Sequence, residues 1–306
     1  MVTDLGREMG NRPLYTHFIQ FERQHLQDRG SVLKQNEFLR FLDGQTHPAE
    51  FRLNGANWVV RYMKDPKEHP RHSLRLASEF VGYQIAKFLG VPVPQFQVVQ
   101  IAESFENKCS CHGKNLRILK GPATACKLIQ EARSPDLDKD SLDEFWEAPY
   151  YLDIVARART ADTWTMNFDR RKKGNVLLTG SQQAPQVWFV DFDQSFLSKN
   201  ASQVHGYRLH WTEEEFRSEW LKDEEVLSGF DGKGGAKCES AMHSGHFQNV
   251  LMDAEGIADE KLERLLSQIP IEWEISEKGR KRWLCSFLQR RGIVIRNIRR
   301  QYAGDN

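Results

Sequence analysis

Three residues have the types and order to bring a metal ion and a hydroxyl together: Asp169, Asn175 and Asp191. They lie in TMNFDRRKKGNVLLT (165–179), continued by VWFVDFD (187–193). The apolar runs 176–179 and 187–190 flank a polar stretch, Gly180–Pro185, so a hairpin is expected. A register pairing Val176 with Val190 sets Asn175 beside Asp191 at the open end. A carboxylate and an amide oxygen there suit Mg²⁺, which takes one or two protein oxygens and completes its shell with phosphates and water. Asp169, six residues before Asn175, can reach the same pocket and orient a nucleophile. A base and two metal ligands are the parts of a phosphoryl-transfer site. Asp and Asn also favour turns, so the local pattern alone leaves ordinary turn residues as the other reading.

A second pairing lies upstream. FRLNGANWVVRYM (51–63) reads as a hairpin turning at Asn54-Gly55. Its second strand puts Val59, Arg61 and Met63 on one face and Trp58, Val60 and Tyr62 on the other. A helix from Ser73 to Leu89, stopped by Gly90 and Pro92, carries Glu79 on a face with Leu76, Gly82, Tyr83 and Ala86. A carboxylate among such neighbours needs a partner, and Arg61 is the candidate. The alternative is a structural ion pair or a solvent-facing carboxylate.

The hydrophobic pattern predicts the helices and strands around these residues. A helix is expected over Tyr15–Gln27, strands over 35–63, and another strand in PQFQVVQIAESF (94–105). The polar stretch 106–120 reads as a link. Helices are expected at Glu144–Ala161, after the Thr212/Glu215 capping box, at Ala258–Gln268 and at Ser276–Tyr302, with a loop over Ser228–His246. The fold class is α+β: a small N-terminal sheet lobe with one helix, then a larger, mainly helical C-terminal lobe. The expected division is a helical extension at 1–35, an N-lobe at 36–120 and a C-lobe at 121–306.

Composition excludes several classes. The chain has 306 residues, 43 Lys+Arg against 42 Asp+Glu, and a net charge of +1. That balance argues against an extended nucleic-acid surface or a polybasic membrane anchor. The basic run Arg170–Lys173 reads as a solvated turn, and the basic face of 278–300 as a solvated helix face. Trp164 and Phe168 read as core. No apolar run is long enough to span a membrane, and the N-terminus has no apolar leader. Five thinly spread cysteines argue against a disulfide scaffold and for a reducing cytoplasm. Neither Cys109/Cys111/His112 nor Cys238/His243/His246 has a strong zinc spacing.

YMKDPKEHPRHSLRLASEFVGYQIAKFLGVPVP (62–94), TWTMNFDRRKKGNVLL (163–178) and VWFVDFDQSF (187–196) together resemble the HipA-like kinases, relatives of the phosphoinositide-kinase-like branch of the protein-kinase fold. The resemblance spans roughly 36–200 and implies an ATP- and Mg²⁺-dependent kinase acting on a hydroxyl, expected to be a protein serine or threonine. It implies Asp169 as the catalytic aspartate, Asn175 and Asp191 as Mg²⁺ ligands, and Glu79 as the helix glutamate of the ion pair. Arg61 stands where the family usually has its nucleotide-binding lysine; Lys64 is the alternative base. Five residues separate Asp169 from Asn175, against four in the usual catalytic loop. The phosphate-covering loop reduces to LDGQTHP (42–48), with one glycine. These departures motivate the second reading, a pseudokinase or nucleotide-binding module without transfer. Some HipA-like kinases are toxins held by a neutralising protein, so such a partner is a further expectation.

Overall fold

Asn54 and Gly55 have left-handed backbones, φ 50° and 76°, which turn β3 (Ala49–Leu53) tightly into β4 (Ala56–Arg61). In this computed structural model the described residues are 31–42, 47–67, 69, 72–109, 113–135, 149–165, 167, 170, 174–181, 185–193, 195, 245–273 and 275–302. The expected helix at Tyr15–Gln27, the capping box at Thr212, and Asp169 and Phe168 lie outside them.

β3 and β4 belong to a six-stranded sheet with β1 (Val32–Leu33), β2 (Phe38–Phe41), β5 (Phe96–Ile101) and β8 (Gly121–Lys127). The order is β1-β5-β8-β4-β3-β2, with only the β1–β5 pair parallel. Both Val32–Leu33 and the central Gly121–Lys127 fall outside the 36–120 limits expected from sequence. The stretch 106–120 is not a link. It forms most of a hairpin, β6 (Phe105–Cys109) against β7 (Lys114–Ile118). Period-2 alternation buries Phe105, Cys109 and Ile118 in one cluster with Phe51, Trp58, Val60 and Tyr62, with Asn107 half-buried in the same row, while Glu106, Lys108, Asn115 and Arg117 face outward.

The opposite sheet face meets α1 (His72–Phe88), whose inner side includes Leu76, Phe80, Tyr83 and Ala86. Gly90, at φ 71°, ends the chain's helical run: its N–H donates to Lys87 O and the Val91 N–H to Ala86 O. The remaining described helices are α2 (Pro149–Thr165), α3 (His246–Glu255), α4 (Asp259–Ser267) and α5 (Glu277–Tyr302), with the hairpin β9 (Val176–Thr179) and β10 (Gln186–Phe189) between α2 and α3. Trp164 and Phe287 pack in one core with α1.

The basic helix α5 is not solvated all round. Arg290 is buried, donating to the carbonyls of Thr163 and Trp164 at the end of α2. Arg280 is buried against the carbonyls of Leu266, Ser267 and Ile275. Arg290 satisfies carbonyls at the C-terminal end of α2, and Arg280 shares Leu266 O with the Ile269 N–H. No helix among the described residues is long and apolar enough to cross a membrane.

Candidate active site

The register of β4 against β8 places Arg61 directly opposite Thr124, on the side facing α1. Glu79 comes down between them. One of its oxygens pairs with the Arg61 guanidinium, and Oε2 accepts from Thr124 Oγ1 at 2.6 Å. Glu79 is only 1% exposed. Burial pushes its carboxyl up to about 7 even with Arg61 and Thr124 favouring the charged form. The expected Arg61–Glu79 pair is thus present. The same guanidinium reaches a second carboxylate, Asp191 Oδ1, at 3.0 Å.

Asp191 lies just past β10 with φ 61°, a left-handed conformation a non-glycine residue adopts at a cost of about 1–3 kcal/mol. Two residues on, Asp193 is buried and pairs with Arg75 of α1 at 2.8 Å. Asp191 and Asp193 thus each face an arginine, Arg61 and Arg75. Burial, then the charge of Asp191, push the Asp193 carboxyl up to about 6. Phe192, between them, packs on Tyr83 at a centroid distance of 4.8 Å. Gly82 makes that approach possible: a Cβ there would come 2.7 Å from Phe192 Cβ and 2.6 Å from Ser195 Oγ.

The β9–β10 register is one residue away from the expected one. Val176 pairs with Phe189, not Val190. Asn175 therefore meets Val190, whose N–H donates to Asn175 O at 3.1 Å. The reason is burial. Val176 and Leu178 must share an inward face with Val187 and Phe189, and a one-residue slip would turn one strand's apolar set outward. Asn175 and Asp191 remain neighbours, but diagonally.

Arg170 overturns the expectation of a solvated turn: it is fully buried. Its Nε and one terminal nitrogen grip both oxygens of Asp162 on α2, at 2.9 and 3.0 Å. The other terminal nitrogen donates to Asn175 O at 2.9 Å and Val190 O at 2.6 Å. The guanidinium also lies 4.5 Å from the Phe192 ring centroid. Arg171–Lys173 lie outside the described residues. The loop proposed to cover phosphates joins β2 to β3, closed by Leu42 N–H donating to Pro48 O; residues 43–46 lie outside the described set.

Sequence reasoning missed Asp162, Arg170, Asp193, Arg75 and Thr124. A signal existed for Asp162, one of two acids in the helix YLDIVARARTADTW (151–164), set between Ala161 and Trp164 with Ala158 one turn back, where a carboxylate needs a cation.

The residues present fit a divalent cation. Asp191 and Asp193, two residues apart just past β10, with Asn175 across the hairpin end, supply the one or two protein oxygens that Mg²⁺ takes, with phosphates and water left to complete its shell. Among the described residues no group of three or more His, Cys, Asp or Glu side chains forms an all-protein metal cage.

The fold is similar to that of the Helicobacter pylori proinflammatory kinase CtkA, whose crystal structure matches over 90% of this chain and 98% of that one, with a TM-score of 0.52 at 12% identity. At that identity the likeness concerns the fold alone. The HipA-like kinase family matches residues 40–228, more than half the chain. The chain belongs to the HipA-like kinase family. No curated protein matches it.

Proposed function

We propose that this protein is a two-lobed, Mg²⁺-dependent phosphotransferase that moves the γ-phosphoryl group of ATP to a hydroxyl, the acceptor being a protein serine or threonine. The observation that carries this reading is the Arg61 guanidinium, which ties Glu79 of α1 to Asp191 beyond β10. A strand cation paired with a helix glutamate is the arrangement that holds a basic group over nucleotide phosphates.

Each residue then has a task. Arg61 steadies the nucleotide, and Glu79 with Thr124 aims it. Asn175 and Asp191 would hold Mg²⁺, which supplies charge neutralisation at the phosphates. Asp169 accepts the acceptor hydroxyl's proton and sets its line of approach. Positioning and preorganised charge supply most of the rate.

Thermal unfolding with and without Mg·ATP, alongside Asp191→Asn, tests the nucleotide site. Ligand at about 100 times its dissociation constant stabilises by about 2.7 kcal/mol. A magnesium-dependent shift that the variant loses supports the site; no shift at millimolar Mg·ATP sinks it. Phosphate transfer to Ser/Thr peptides that vanishes in Asp169→Asn then separates a kinase from a pseudokinase. The Arg61–Asp191 ion pair favours the pseudokinase as the second reading, because arginine's planar fork does not replace a compact ammonium and here engages an expected metal ligand.

A further inference from the structure

Arg170 sits next to the expected base in sequence, yet its whole side chain is withdrawn from solvent. Its donors all go to the frame of the site. Two meet Asp162 head-on, so the guanidinium plane is set by α2. A third reaches the carbonyls of Asn175 and Val190 together. One of those carbonyls belongs to an expected Mg²⁺ ligand, and the other immediately precedes the second ligand, Asp191. Phe192, which follows Asp191, packs against the guanidinium face. Asp162 is itself steadied by Asn167, whose Nδ2 donates to Oδ1 at 3.1 Å.

We propose that the Asp162–Arg170 pair is a positioning device for phosphoryl transfer, fixing Asn175 and Asp191 relative to one another; this rests on the kinase reading above. The geometry asks for arginine. Five N–H groups in a rigid fork satisfy a carboxylate and two carbonyls at once, whereas a lysine ammonium is a point donor at the end of a flexible stem. The pair touches neither nucleotide nor acceptor. It acts by holding the carbonyls of Asn175 and Val190 at one place, and so spaces the two strands that carry the ligands.

The test uses the full chain with Arg170→Lys and Asp162→Asn. The first keeps charge and loses the fork; the second keeps shape and loses charge. Two quantities are read: the Mg²⁺ concentration giving half of the ATP-induced thermal shift, and kcat against KM for ATP in peptide phosphorylation. The expected result is a Mg²⁺ midpoint raised tenfold or more and kcat lowered tenfold or more, with binding of metal-free adenosine unchanged. The double variant should be no worse than the more severe single one, because the two residues act as a unit. Variants that fold, melt earlier, and keep the wild-type Mg²⁺ midpoint and kcat would overturn the proposal and leave an ordinary structural pair. Should Arg170→Lys not accumulate as folded protein, Asp162→Asn reads the same quantities. A wild type with no Mg·ATP shift overturns the kinase reading and this proposal together; a wild-type shift with unaffected variants overturns this proposal alone.

Discussion

Arg61 and Asp191 lie 3.0 Å apart although 129 positions separate them in the chain, and the arginine keeps Glu79 as its other partner. One cation therefore serves two carboxylates, one wholly buried in the sheet–helix interface and one at a strand end.

Removing that cation should be expensive. Arg61→Met leaves Glu79 buried with only Thr124 to satisfy it. We expect a loss of about 3–5 kcal/mol, measured by urea unfolding, because breaking a buried pair strands the remaining charge. Arg61→Lys should lose less, since a cation remains. A loss below about 1 kcal/mol for Arg61→Met would show that the pair carries little of the fold.

Gly82→Ala should act on the site more than its size implies. The added methyl meets Phe192 Cβ and Ser195 Oγ at under 3 Å. Overpacking of this kind costs about 1–3 kcal/mol. The displaced segment carries Asp191 and Asp193, so the ATP-induced thermal shift should shrink as well. A lower melting temperature with an undiminished shift would show that the helix yields instead.

Acid should weaken the fold through His72. Burial first, then the charges of Lys64, Arg75 and His69, hold its imidazole down to about 3. Below pH ~6.5 the unfolded chain binds a proton that folded His72 refuses, so stability falls as pH drops from about 6.5 towards 3. The slope is at most about 1.4 kcal/mol per pH unit. Glu79 and Asp193, held high, work in the opposite direction, so the contribution is isolated by comparison with His72→Asn. A wild-type and a variant that lose stability in parallel between pH 6.5 and 5 would refute it.

Thiol reactivity should follow burial. Cys285 is exposed, whereas Cys109 and Cys126 are buried. Burial pushes the Cys126 thiol up to about 12, and it lies 3.1 Å from Tyr83 Oη. Iodoacetamide treatment of the native protein, mapped by peptide mass, should modify Cys285 and spare Cys109 and Cys126 until urea is added. Rapid native labelling of Cys126 would contradict the packing of Tyr83 on Phe96 and Phe192 that covers it.

Features that depend on neighbours along the chain were legible before any fold was known. The Asn54-Gly55 hairpin, the helix ending at Gly90 and the amphipathic runs at 259–267 and 277–302 are all set by local backbone preference and periodicity. Strand alternation and helix spacing also put Arg61 and Glu79 on faces that could meet, and the resemblance pointed to the family. Burial against distant segments set the rest. Arg170 looks like one charge in a basic turn until Asp162, eight residues back on α2, supplies the carboxylate that makes its burial affordable. The β9–β10 register follows from which face is covered, and two adjacent apolar runs leave that choice open. The hairpin at 105–118 looked polar because its alternate residues face outward; the buried set was visible only once the sheet gave Phe105, Cys109 and Ile118 a surface to cover.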